Sequence, residues 1–138
     1  MTASDINLAV LFHGCQFLLD CLEPRWAGGV GGANEQLKAV YASHERNFGI
    51  LFALPIQPNE NGNWAWRVDD FDPTNPQVII QAGFIDYERS GFLYTLPAAG
   101  FEAIDDLQWV SLSPVKPIHR EIIMPSLYKN WVRYDPER

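Results

Sequence analysis

The run AVLFHGC places His13 at the close of an apolar, strand-like segment, with Cys15 two residues further on. In extended chain those two side chains share a face, and imidazole beside thiol is the pair that a cysteine nucleophile and its base require. Alternation alone does not bring them into contact. The same imidazole suits two other tasks, as a core histidine satisfied by backbone groups or as a hydrogen-bonding group projecting from a rigid strand into a cleft. Gly14, directly after it, lets a ligand or another stretch of chain come close. Tyr41 ends the segment AVY just before the small pair Ala42 and Ser43, and its ring serves either ordinary packing or the mouth of a second strand.

Other groups fit known chemistries less well. His44-Glu45 lacks the second histidine four residues on that a zinc-peptidase helix needs, and Ser43 next to it points to the opposite face of a strand. GGVGGA lacks the lysine and hydroxyl residue of a phosphate-binding loop and follows no clear strand-to-helix crossover, so its glycines mark flexibility. Asp69, Asp70 and Asp72 lack the ordered ligand spacing of a calcium loop and read as the solvated face of a turn. No metal site is expected.

The elements that must hold these groups are short. LAVLF (8–12) reads as a buried strand and QFLLDCLEP (16–24) as a brief helix or turn stopped by Pro24. RWAGGVGGANEQL is a loop, KAVYAS (38–43) a second apolar strand, and HERNFGILFAL (44–54) a helix with Phe48, Leu51 and Phe52 on one face. NGN marks a turn, WAWRV alternates, residues 69–76 form a polar turn and VII is a buried run. SGFLYTLP (90–97), LQWVSL (107–112) and HREIIM (119–124) are further strands, the last of them closing the sheet, and YKNWVRYDPER is a short helix or an aromatic-anchored extension. Trp109 shares a face with Leu107 and reads as core rather than as a ligand platform, and Pro114 and Pro117 bracket a rigid bend. Many short strands with one or two short helices predict an α+β domain built on a bent or split antiparallel β-sheet.

Composition narrows the function classes. The formal charge of −7, from ten Lys and Arg against seventeen Asp and Glu, disfavours a broad electrostatic hold on nucleic-acid phosphates. With 47% hydrophobic and 13% aromatic residues, the 138 residues suit a single folded domain over 1–138. No run nears the roughly 18 apolar residues of a membrane helix. MTASDINLAV has no basic leader region, so no membrane and a cytoplasmic location are expected. Cys15 and Cys21 are too few and too close for a disulfide framework and are expected as free thiols.

LFHGC followed by LEP, a glycine-containing loop, VYAS, a helix with FA, and later GFLYTLP, GFE and WVSLSPVKPI resemble the small bacterial relatives of rifampin ADP-ribosyltransferase. The resemblance covers residues 9–60 and 90–123, with NENGNWAWRVDDFDPTNP reading as an insertion. It implies an ADP-ribosyltransferase-like fold with a histidine, tyrosine and acidic signature, and NAD, as substrate, in the cleft of the split sheet. His13 would hydrogen-bond the ribose beside the nicotinamide and Tyr41 would stack on the nicotinamide ring. Gly14, Ala42 and Ser43 would adjoin the nucleotide, and Arg25 and Lys38, which flank the glycine loop, would be the basic groups nearest a pyrophosphate, although by residue type a solvated surface position suits each of them better. The acidic member would be Glu102, Asp105 or Asp106, with Gln108 a neutral substitute, and Asp105 and Asp106 read equally as a surface turn; where some relatives carry a glutamate in WVSLSPV, this chain has Ser111 and Ser113. The implied activity is mono-ADP-ribosyl transfer to a protein, nucleic acid or small molecule, or NAD hydrolysis. The other class is a non-catalytic protein-interaction module of phage or bacterial origin that keeps the fold.

Overall fold

The computed structural model describes residues 9–26 and 38–135. In chain order the first elements are β1 (Val10–Cys15), β2 (Arg25–Trp26), β3 (Lys38–Ala42), helix α1 (Arg46–Ala53), β4 (Ile56–Gln57) and β5 (Ala65–Arg67). There follow β6 (Val78–Ala82), β7 (Phe84–Ile85), β8 (Gly91–Pro97), β9 (Glu102–Ala103), β10 (Trp109–Ser111) and β11 (His119–Ile123). Two short 3-10 turns merged across a kink at Tyr128 (Pro125–Trp131) and β12 (Val132–Tyr134) end the series.

Pairing is almost wholly antiparallel. One sheet has the order β1-β8-β11, a second β2-β3-β10-β9, a third β12-β6-β5, and β4 pairs with β7. Only β12 and β6 run parallel among the described residues. The architecture of the described residues is α+β, with one short α-helix and one 3-10 segment beside the strands, in line with the α+β class the sequence predicts. Among the described residues no helix is long and apolar enough to cross a membrane.

Burial explains the layering. Alternation along β1 sends Leu11 to one face and Phe12 and Gly14 to the other. Leu11 joins Val40, Tyr94, Leu96 and Trp109 in one core cluster. Ile50, Leu51, Leu54, Val78, Ile80 and Leu93 form a second, under α1. Helix α1 lies on β1 and β8 so closely that a methyl group on Gly14 would overlap the Gly49 carbonyl, and one on Gly91 the Ala53 carbonyl. Gly14 therefore admits the helix backbone.

Three expectations need correction. Strand β1 does not stop at residue 12 but runs through His13 to Cys15, because β8 continues to pair with it as far as Phe92. RWAGGVGGANEQL is not a loop from its start, since Arg25 and Trp26 form β2 against β3, while 27–37 lie outside the described residues; of the two readings for 16–24 the turn holds, with Leu22 tied to Val115 by two backbone hydrogen bonds of 2.8 Å. The last strand is β12, since the aromatic tail turns back and extends the β5–β6 pair.

Tyr94 fastens the bends at 16–19 to the sheet. It is fully buried, its hydroxyl donates to the Phe17 carbonyl at 2.7 Å and accepts from the Leu19 N–H at 2.7 Å. Tyr94→Phe removes both bonds and should cost about 1–3 kcal/mol, read as a lower urea midpoint with an unchanged slope.

Candidate functional site

Strands β1 and β3 meet at a single bridge. Phe12 N–H donates to the Ser43 carbonyl at 2.8 Å and Ser43 N–H to the Phe12 carbonyl at 2.9 Å. Beyond it β1 stays with β8 while β3 stays with β2 and β10, and the two sheets part. A cleft of about 260 Å³ opens there. His13 stands at the parting, its Nδ1–H donating to the Tyr41 carbonyl at 2.6 Å. A carbonyl can only accept, so the proton is on Nδ1 and the lone pair on Nε2.

Burial holds the His13 imidazole below its ordinary pKa; the Tyr41 carbonyl opposes this and the nearby Arg25 cation adds to it. The ring is therefore neutral at pH 7. A folded-state value below the unfolded one means that the unfolded chain binds the extra proton first, so the associated stability is whole above about pH 6.5 and falls as acid is added below it. Between pH 7.5 and 5.5 the wild type should lose more unfolding free energy than His13→Asn does; parallel losses in urea titrations would contradict this.

His13, Gly14, Tyr41, Ala42, Ser43 and Arg25 all line the cleft. The expected carboxylates do not. Glu102 is exposed on β9 opposite Val110, Asp106 is exposed, and the Asp105 carboxylate accepts from the N–H groups of Leu107 and Gln108 at 2.8 and 2.6 Å. That turn closes the β9–β10 hairpin, with Ile104 N–H on the Gln108 carbonyl, and it delivers Gln108 to the cleft in place of an acid. Lys38 is exposed and is not part of the lining.

The thiol reading also fails on geometry. The Cys15 Sγ–H donates to the Phe17 carbonyl at 3.4 Å, and burial pushes the thiol above its ordinary pKa, the reverse of what a nucleophilic cysteine needs. Ser43 is occupied as well, its Oγ accepting from the Glu45 N–H at the start of α1. Trp109 is buried in the core cluster, as its alternation with Leu107 predicts. Among the described residues no three His, Cys, Asp or Glu side chains gather as metal ligands do.

Two contributions to the lining were not singled out from sequence. One is a chain of aromatic rings, Phe48, Phe52, Trp66 and Trp64, with successive centroids 5.0, 5.2 and 6.4 Å apart. Trp64 and Trp66 belong to the segment that reads as an insertion, and the W-x-W spacing was the available signal that both rings face one way. The other is Glu23, the central residue of LEP.

Set against protein-family models, curated proteins and solved structures, the chain matches no family model, no curated protein and no solved structure.

Proposed function

We infer that the cleft binds NAD as a substrate and that the protein breaks the nicotinamide–ribose bond, as a mono-ADP-ribosyltransferase or as an NAD glycohydrolase. The observation that carries this is His13: a neutral imidazole at the parting of two sheets, locked by the Tyr41 carbonyl so that Nε2 can accept a ribose hydroxyl. The ring of Tyr41 offers a flat surface for the nicotinamide, and Arg25 supplies the cation for the pyrophosphate. The antiparallel sheets parting at β1 and β3 agree with an ADP-ribosyltransferase-like fold. The acceptor is water or a nucleophile on a protein, nucleic acid or small molecule. The reading places the protein in the cytoplasm, in keeping with its two free thiols.

Bond cleavage creates an oxocarbenium-like centre whose charge must be met by preorganised groups. Gln108 cannot meet it with a charge. That favours, as a second reading, a non-catalytic interaction module, and Ile118, Ile122 and Met124 are exposed along the edge strand β11. Calorimetric titration with NAD separates the two. Saturable one-to-one binding, weakened at least about tenfold in Arg25→Ala, follows from the first reading. Absence of any binding heat leaves only the second.

A further inference from the structure

Among the described residues the cleft is lined by one carboxylate, Glu23, and one permanent cation, Arg25. The two flank Pro24, and both reach the same cleft. The stretch 22–25 is anchored at both ends. Leu22, buried, exchanges two backbone hydrogen bonds with Val115, and Arg25 pairs with Ala39 on β3. Glu23 is thus held over the cleft by chain that has little freedom to swing, while the carboxylate itself keeps contact with solvent.

Resting on the NAD-cleaving reading, we propose that Glu23 is the catalytic carboxylate of this cleft, supplied from the opposite side to the β9–β10 hairpin, where Gln108 stands. The C1′–N bond breaks and its electron pair departs with nicotinamide, which leaves as the neutral amide base. The positive charge left on C1′ and the ring oxygen is faced by the Glu23 anion. Water, or an acceptor hydroxyl, then forms the new C1′–O bond and gives its proton to Glu23, from which solvent removes it. NAD and water become ADP-ribose, nicotinamide and one proton, so no other reactant is required.

The test compares wild type, Glu23→Gln and Glu23→Asp for nicotinamide release and for NAD affinity by calorimetry, with thermal unfolding as the check on folding. Loss of about 100-fold in release by Glu23→Gln, with NAD affinity within about threefold of wild type and partial recovery in Glu23→Asp, is the expected result. Release by Glu23→Gln within about threefold of wild type overturns the assignment and leaves NAD cleavage standing. A wild type that binds NAD without releasing nicotinamide also overturns it. A wild type that neither binds nor cleaves NAD removes the underlying reading and the assignment with it.

Discussion

Gly91→Ala is expected to destabilise the protein by about 3 kcal/mol or more, toward the upper end of overpacking costs. The added methyl would occupy the space of the Ala53 carbonyl oxygen, a backbone atom with no rotamer to escape into. Relief requires the end of α1 to lift from β8, and Leu51, Ala53 and Leu54, which are almost wholly buried, would lose contacts with it. Differential scanning calorimetry should show a fall in Tm on the order of 10 °C. Gly62→Ala is the matched control. Gly62 has a φ of +78° but open space around its Cβ position, so only the smaller backbone strain applies. A Gly91 variant as stable as the Gly62 variant would show that the close approach of α1 to the sheet is wrong.

The second large effect is on chemistry. His13→Ala should lower nicotinamide release about 100-fold while the fold survives. Among the described residues the imidazole makes one hydrogen bond, to the Tyr41 carbonyl, so the cost to stability is about 1 kcal/mol. On the NAD-cleaving reading, what disappears is the acceptor for a ribose hydroxyl, and with it the alignment of the bond that breaks. Tyr41→Ala should act differently, raising KM for NAD more than it lowers kcat, because a stacking surface holds the nicotinamide alike before and during cleavage. Equal effects of both variants on KM alone, with kcat unchanged, would show that His13, like Tyr41, only holds the substrate and does not act on the bond that breaks.

Much of the cleft was readable in the chain because its strands obey simple alternation. AVLF and AVY are apolar runs that end in a polar-tipped ring and small residues, and that pattern leads to His13, Tyr41, Ala42 and Ser43 without structural help. Gly14 was visible as a point of close approach, but a glycine does not say what approaches; the structure shows Gly49 of α1 there. For Asp105 and Asp106 of GFEAIDD the chain leaves a cleft carboxylate and a surface turn equally open, and the structure has the turn. Whether Asp105 faces a cleft or closes a turn depends on the register of the β9–β10 hairpin, and spacing along the chain is the same in both cases. Once its oxygen takes the N–H groups of Leu107 and Gln108, the side chain next in line for the cleft is the amide. The pairing of β12 with β6 joins residues about fifty positions apart, a contact for which periodicity within either segment carries no signal. For Trp64 and Trp66 the W-x-W spacing puts both rings on one side, but that Trp66 meets Phe52 is set by tertiary folding of the segment.

The most direct measurement incubates purified protein with NAD and follows free nicotinamide by chromatography, beside His13→Ala and Tyr41→Ala variants shown to be folded. An NAD-cleaving cleft predicts nicotinamide from the wild type and a loss of it in both variants. No release by the wild type, with water or with candidate acceptors present, would contradict it; release that persists unchanged in both variants would show that the bond is broken somewhere other than beside His13.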